Sequence, residues 1–291
     1  MSKSKVYFTK EITPGACLNL LELLIKDGGE LKAPVAVKVH SGEAGNQNFL
    51  KPDFFEPAVK RVGGTVTECN TAYEGARNTT ERHIKTLKAH GWSEYFDVDL
   101  LDAEGPDLEL LMPYGKRINK NYVGKNIKNY NSALILSHFK GHPMGGYGGA
   151  LKQLSIGFAS SFGKKYIHGS GDADISFSGD HNGFLESMAD SARSVVELFD
   201  GKIMYINVMK NMSVDCDCCA KAEDPCIADI GILASLDPVA VDKACVDLVY
   251  STDDKGKGHL IERIESRNGL YTIECAEALG IGTTDYELVE I

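Results

Sequence analysis

The run SALIL at residues 132–136 is apolar after its first residue and leads directly into two polar residues, Ser137 and His138. This pattern is typical of a strand that is buried inside a sheet. Two further runs, at 35–39 and 203–208, are also short and apolar and are predicted to be strands. The segments that connect these runs therefore decide what kind of sheet they form.

Helical patterns alternate with the strands along the chain. Further strands are predicted at 6–8, 65–69 and 230–233, and helices at 16–25, 53–62, 79–89, 184–199 and 238–250. This alternation predicts an α/β fold with a mainly parallel sheet and helices on both faces, and it allows two lobes around a cleft. In such sheets the functional residues lie in loops beyond the carboxyl ends of the strands.

The length of 291 residues suits one large domain or two ordinary ones. Residues 169–183 are rich in Gly, Ser and Asp, which favours a linker or a lid. A boundary there gives residues 1–168 as an α/β domain with a His/Gly/Lys motif, and residues 169–291 as a second α/β part with a cysteine cluster. The alternative is that the second part completes a single domain.

The charge balance and the absence of long apolar segments limit the partners. The net charge of −10 argues against nucleic acid and against an anionic membrane surface. No stretch approaches the ~20 apolar residues of a membrane-spanning helix, and the start of the chain lacks the apolar region of a secretory signal. We therefore expect a cytoplasmic protein that binds neither nucleic acid nor a membrane. A homo-oligomer and a redox partner protein both stay open.

The segment 138–152 combines two histidines, two lysines and five glycines directly after the predicted strand 132–136. Exposed backbone N–H groups beside cationic side chains form a binding site for a phosphate, a carboxylate or a nucleotide. The cofactor- or anion-binding candidates here are His138, Lys140, Gly148 and Gly149, and the catalytic candidates are His142 and Lys152. The alternative is a flexible glycine loop with solvated lysines, and we favour the functional interpretation.

Two other predicted strand ends carry candidate residues. Lys38 and His40 share one face of the strand 35–39, and Glu43 follows in the loop. A histidine and a carboxylate beside a lysine suit acid–base chemistry, so His40 and Glu43 are catalytic candidates and Lys38 a cofactor-binding candidate. Arg77, after the strand 65–69, is a candidate anion contact. A hydrogen-bonded structural histidine and an exposed loop arginine are equally good explanations.

Half of the eight cysteines lie within eleven residues, at Cys216, Cys218, Cys219 and Cys226. In a reducing compartment, such a cluster indicates metal binding, because thiolates are soft ligands for zinc, copper(I) and iron–sulfur clusters. The spacing matches neither a zinc knuckle nor a ferredoxin motif, so it does not identify the metal. A redox pair and inert thiols are the alternatives. The other four cysteines are expected to be small buried hydrophobic residues.

Several of these motifs together resemble the domain-of-unknown-function family 362, whose members are often described as uncharacterised iron–sulfur center proteins. The resemblance is carried, from about residue 5 to residue 250, by KVHSGE at 38–43, SHFKGH at 137–142, GGALK at 148–152, CDC at 216–218 and DIG…DPVA at 229–240. Many members contain a ferredoxin-like insert with two four-cysteine motifs. This chain has no cysteine between Cys69 and Cys216, so it represents the form without the insert.

A more distant likeness, over about residues 35–168, is to the N-terminal domain of lactate racemase. In that family a nickel-pincer cofactor is tethered to a lysine between two histidines, and the intervals match His142, Lys152 and His168 here. The likeness implies that Lys152 anchors a cofactor or an anion and that His168 ligates metal or acts as a base. One acid–base histidine of the racemases is replaced by Ala76, before Arg77, which argues against a two-base mechanism.

The leading hypothesis is a metal-dependent and redox-capable enzyme that acts on a small anionic substrate. The cofactor would be a metal ion (iron, zinc or nickel) or an iron–sulfur cluster, held by the four clustered cysteines. The alternatives are a racemase or epimerase like the distant relative, and a non-catalytic carrier of metal or cofactor. All three require that the 138–168 segment and the 216–226 cluster meet in the folded chain.

Overall fold

A computed structural model of the protein describes residues 3–291. The strands are β1 (Ser4–Thr9), β2 (Val35–Lys38), β3 (Thr65–Glu68), β4 (Val98–Leu100), β5 (Leu108–Leu111), β6 (Lys120–Val123), β7 (Ser132–His138), β8 (Lys140–His142), β9 (Gly146–Gly148), β10 (Ile203–Met209), β11 (Gly231–Ser235) and β12 (Tyr286–Glu290). The helices are α1 (Pro14–Gly28), α2 (Pro52–Val62), α3 (Thr80–Ala89), α4 (Trp92–Tyr95), α5 (Ala150–Lys152), α6 (Ser161–His168), α7 (His181–Leu198), α8 (Pro238–Ser251), α9 (Lys257–Ser266) and α10 (Leu270–Ala278). A π-helical turn, Gln153–Gly157, extends α5.

Eight strands form one sheet in the order β12-β1-β11-β10-β7-β2-β3-β4. Neighbouring strands are parallel except where β11 pairs with β1 and β10, to which it is antiparallel. The predicted α/β fold with a mainly parallel sheet is therefore confirmed. The strands β10 and β11, which follow residue 169, lie between β1 and β7 in this sheet. The domain boundary at residue 168 stays a prediction.

The strand β7 is buried along its whole length because helices cover both faces of the sheet. Leu134 and Leu136 pack in the layer that contains α1 and α2. Ala133 and Ile135 pack on the opposite face, against α7 and α8. This two-sided burial explains the unbroken apolar pattern of the strand, because neither set of alternating side chains meets water.

The predicted helices are present, with ends that differ by a few residues from the sequence pattern. The side chain of Thr79 accepts a hydrogen bond at the start of α3, and Asp237 does so from Val239 and Ala240 at the start of α8. The sequence patterns predicted none of β4, β5, β6, β8, β9, β12, α4, α6, α9 and α10. Of these, α9, α10 and β12 complete the carboxyl-terminal part of the sheet and its cover. Across residues 3–291, the helices are all too short or too polar to traverse a lipid bilayer.

One buried histidine of this fold predicts acid sensitivity. His83 on α3 is fully buried, with its ring nitrogens 3.2 Å from Asn70 Oδ1 and 3.4 Å from Ser41 Oγ. Burial lowers the pKa of His83 to about 3. Between pH 6.5 and this value the unfolded chain binds a proton that the folded chain excludes, so the free energy of unfolding must fall as the pH falls.

We expect His83→Gln to make this pH dependence shallower by one proton, or about 1.4 kcal/mol per pH unit. Urea unfolding at several pH values between 4 and 7 measures the slope. The matched control is His259→Gln, since His259 is exposed on α9 and its replacement should leave the slope unchanged. Equal slopes for His83→Gln and the wild type would contradict the prediction.

Candidate functional site

A cavity of about 270 Å³ opens beyond the carboxyl ends of β2, β3 and β7. It lies where an α/β sheet is expected to bind ligands, because loops from several parallel strands meet there. The wall contains the carboxylate of Glu68, the thiol of Cys218 and seven basic side chains, namely Lys38, His40, Arg77, His142, Lys152, Lys164 and His168. The excess of basic groups makes this cavity suitable for an anion.

Three residues from two parts of the chain gather beside the cavity, with ligand atoms within 4.8 Å of one another. They are His142, Cys216 and Cys218, and we call them the His/Cys group. The Nδ1 atom of His142 accepts hydrogen bonds from the backbone of Met144 (3.2 Å) and Gly145 (2.8 Å), which leaves Nε2 to ligate a metal. Burial and the charge of Lys152 lower the pKa of His142 to about 4, so the ring is neutral, as a ligand must be.

The electrostatic environment favours a thiolate at Cys216. A hydrogen bond with Cys218 lowers the pKa of the Cys216 thiol well below its usual range, and Lys152 and His142 act in the same direction against the effect of burial. The Nζ atom of Lys152 lies 3.8 Å from Cys216 Sγ, which also accepts from the backbone N–H of Cys218 at 3.4 Å. A preformed thiolate is the form that binds a soft metal.

The loop after β2 holds the cysteine segment in place through backbone contacts. The backbone N–H of Glu43 donates to Asp217 O (2.8 Å), and the side chains of Asn46 and Asn48 donate to Cys219 O and Glu223 O (both 2.8 Å). Gly45 has a φ of +91°, which favours glycine. A Cβ atom at this position would lie 3.0 Å from the carbonyl oxygen of Ala220. The loop after β2 therefore supports the cysteine segment.

Two of the predicted anion-binding residues are paired inside the protein. The buried carboxylate of Asp217 lies 2.9 Å from His138 Nδ1 and 2.8 Å from Lys140 Nζ. The second ring nitrogen of His138 lies 2.6 Å from Lys210 O. Burial opposes the charge of Lys140, but Asp217 and Cys216 together raise the pKa of this lysine above its ordinary value. These contacts orient Asp217, which lies between Cys216 and Cys218 in the sequence. Neither His138 nor Lys140 lines the main cavity.

Asp242 on α8 fixes the position of Lys152. Its carboxylate accepts hydrogen bonds from the backbone of Ala150 (2.7 Å) and Leu151 (3.0 Å), at the start of the short helix that ends in Lys152. A Cβ atom on Gly149 would lie 2.4 Å from Asp242 Oδ1, so this position requires glycine. Gly148 and Gly149 line a small recess beside Lys140 and Lys152, and in Gly149 the missing side chain makes room for Asp242. Burial raises the pKa of Asp242 to about 6.

The remaining candidates near β2 and β3 form a buried ionic network. Glu68 lies 2.6 Å from Lys38 Nζ and 3.5 Å from Arg77 Nη1, and Arg77 Nε also lies 3.2 Å from Glu43. Burial opposes the ionisation of Glu68, but Lys38, with other basic neighbours, holds its pKa well below its usual range. Glu43 accepts further hydrogen bonds from Ala76 N (2.8 Å) and Tyr73 Oη (3.0 Å) and lies behind Arg77, away from the cavity wall.

His40 and His168 lie on the cavity wall as neutral imidazoles. Burial lowers the pKa of His40 to about 4 and that of His168 to about 3. His168 has its Nδ1 atom 2.7 Å from Lys164 O and stacks on Phe184 with ring centroids 4.6 Å apart. Neutral imidazoles beside a cavity are able to accept a proton or to ligate a metal ion.

The structure brings together only part of the predicted ligand set. Among residues 3–291, Cys219 and Cys226 lie outside the His/Cys group, and Cys226 Sγ instead donates to Met212 O at 3.5 Å. Iron–sulfur clusters are generally held by four cysteines, so the gathered residues do not fit a four-thiolate cluster. Two cysteine sulfurs and one imidazole do fit a single ion such as zinc, because catalytic zinc sites use three protein ligands.

Sequence reasoning missed four residues of this site. Glu68, Asp217 and Asp242 are buried carboxylates that pair with the predicted basic residues or position them, and Lys164 lines the cavity. Lys164 precedes His168 by one helical turn, so helical spacing could have indicated it. No local pattern indicates Asp242, whose partners lie far away in the sequence.

Comparisons with known proteins give a family match and several distant structural similarities, including the following two. The model described as Domain of unknown function (DUF362) matches residues 35–247. No curated protein matches the chain. The lactate racemase apoprotein from Thermoanaerobacterium thermosaccharolyticum has a TM-score of 0.48 at 12% identity, over 84% of this chain and 56% of that chain. A protein from Thermotoga maritima has a TM-score of 0.44 at 11% identity, over 91% and 59%. The chain spans less than two thirds of the length of either structure.

Proposed function

We propose, from the premise that this chain belongs to the DUF362 family, that it is a metal-dependent enzyme acting on a small anionic substrate. Membership confirms the resemblance stated from the sequence motifs and assigns no reaction. One observation carries the proposal: the His/Cys group gathers its ligand atoms within 4.8 Å beside a cavity whose wall is rich in basic side chains. A metal site and an anion site in one cavity are what metal-assisted chemistry on an anion requires.

The residues of the cavity have separate roles in this proposal. His142, Cys216 and Cys218 would hold the ion, which when bound would polarise an oxygen atom of the substrate or, if redox-active, exchange electrons. Lys152 lies beside Cys216 and lines the cavity, so its ammonium is placed to orient a bound anion. His40 and His168, which burial keeps neutral, would accept a proton from the substrate.

A racemase or epimerase is the second candidate. The observation in its favour is that His142, Lys152 and His168, matched to the racemase family by their spacing, all line the same cavity. Ala76 stands where that family has an acid–base histidine, but His40 lies on the same wall and offers a second imidazole. This candidate predicts exchange of the α-proton of a 2-hydroxy acid.

We expect the metal-loaded protein to exchange the α-proton of lactate in heavy water, as followed by proton NMR, if the second candidate holds. Lys152→Ala should slow the exchange at least about 100-fold, the lower range for loss of a positioned acid–base or orienting group. Lys165→Ala is the matched control, because Lys165 is exposed on α6 and should leave the rate unchanged. Exchange that is insensitive to Lys152→Ala would exclude a racemase site in this cavity.

A non-catalytic carrier predicts a different result. A carrier would take up one ion per chain and release it to a chelator or an acceptor protein. It would convert none of the hydroxy acids, keto acids or phosphorylated metabolites offered with that ion. Turnover of any of these compounds that disappears in His142→Ala would favour the enzyme over the carrier.

A further inference from the structure

One basic group on the cavity wall forms no salt bridge within the part of the chain that the structure describes. Lys38 and Arg77 both lie within 4 Å of Glu68, and Lys152 lies beside the sulfur of Cys216. In contrast, no carboxylate among residues 3–291 lies within salt-bridge distance of Lys164. Burying an unpaired ammonium costs free energy, so a lysine retained in this state indicates that something else supplies the charge.

The side chain of Lys164 keeps hydrogen-bonding capacity for a ligand. The residue is only 8% exposed, and its Nζ atom donates to Ala159 O at 2.6 Å. An ammonium has three donors, so two stay available for other acceptors. Gln153 also lines the cavity, and its side-chain amide makes no hydrogen bond within residues 3–291. Burial lowers the pKa of Lys164, a change that a bound anion would reverse.

We propose that Lys164 binds the carboxylate of a small organic monocarboxylate inside this cavity, with the Gln153 amide as a second donor. The assignment rests on the proposed function and names its substrate class. A single unpaired lysine matches a single negative charge. The wall also contains Met144, Ile156 and Phe177, which provide apolar contacts for a carbon chain but none that phosphate would use. The volume of about 270 Å³ has room for an organic acid of about ten non-hydrogen atoms, because a cavity of ~150 Å³ already holds benzene.

Calorimetric titration with butyrate, its neutral isostere butyramide and inorganic phosphate tests the assignment. We expect butyrate to bind at least about tenfold more tightly than butyramide or phosphate, because a charge-assisted hydrogen bond in a buried site distinguishes the anion from its neutral analogue. Lys164→Met should weaken butyrate binding at least about tenfold and leave butyramide unchanged, whereas Lys164→Arg, which keeps the charge, should restore part of the affinity.

Lys165→Met is the matched control, since Lys165 is the next residue of α6 and is exposed. It should bind butyrate like the wild type. Wild-type affinity in Lys164→Met, tighter binding of phosphate than of butyrate, or no butyrate binding to the wild type would each overturn the assignment. Metal content measured on the same samples separates the two proposals: a metal-free protein that shows Lys164-dependent butyrate binding refutes only the metal-dependent enzyme.

The unpaired charge also predicts an effect on stability that a structural lysine would not show. Without ligand, Lys164→Met should melt at a higher temperature than the wild type, because it removes a buried ammonium and keeps a side chain of similar length. Butyrate should raise the melting temperature of the wild type and not that of Lys164→Met. A variant that melts below the wild type in the absence of butyrate would show that Lys164 stabilises the fold, and the assignment would fall.

Discussion

Cys216→Ser is expected to lower the metal affinity of the protein at least about 100-fold. Loss of a residue that hydrogen-bonds to a metal ligand already lowers the metal affinity about 10–100-fold, and loss of a thiolate that binds the metal directly should lower it more. Cys216 is fully buried in the His/Cys group, and its thiolate is stabilised by Cys218, Lys152 and His142. Metal analysis of anaerobically purified protein, followed by competition with a chelator, measures the change. We expect one ion per chain in the wild type.

The cysteine segment provides its own controls for this prediction. Cys226→Ser should keep the wild-type metal content, because Cys226 lies outside the His/Cys group and its thiol donates to a backbone carbonyl. Cys218→Ser and His142→Ala should lose the ion as Cys216→Ser does. Substoichiometric metal that is unaffected by Cys216→Ser and Cys218→Ser would refute the site. Loss of the ion in Cys219→Ser would restore Cys219 to the ligand set predicted from the sequence.

The local patterns of this chain were enough to predict β2, β3 and β7, which lead to the site, but not β8 or α6, which carry His142 and His168. The apolar run at 132–136 gave β7, and the strand-end positions of Lys38, His142 and Arg77 placed these residues at one edge of the sheet. Such patterns are local because burial on both faces of a strand and the helical repeat are local properties. The reversed direction of β11 has no local cause, since it depends on the strands that flank it.

The roles of individual residues could not be read from these patterns. His138 and Lys140 have the chemistry of an anion site, but both side chains pair with Asp217, which is distant in the sequence. Conversely, Lys164 was not predicted, although it lines the cavity and forms no salt bridge with the described residues. Whether a basic residue binds a ligand or an internal carboxylate depends on which partner the tertiary fold brings to it.

Glu68 shows how far such a partner determines stability, and we expect Glu68→Gln to lower the free energy of unfolding by about 3–5 kcal/mol. One carboxylate oxygen accepts from the backbone N–H (2.8 Å) and the hydroxyl (2.9 Å) of Ser41, and the other from Lys38 Nζ (2.6 Å). Glutamine can keep the contacts to Ser41, but its amide then directs N–H donors at the buried ammonium of Lys38. The cost is therefore that of leaving a buried charge without a partner.

Urea unfolding near neutral pH measures this cost, and two further variants identify its cause. Glu74→Gln breaks an exposed pair with Arg82 and should change the free energy by less than about 1 kcal/mol. Lys38→Met combined with Glu68→Gln should recover much of the loss, since the double variant has no unpaired ammonium. A double variant as unstable as the sum of the two single variants would mean that the cost does not come from the Lys38 charge, and that Glu68 stabilises the site through Ser41 and Arg77 instead.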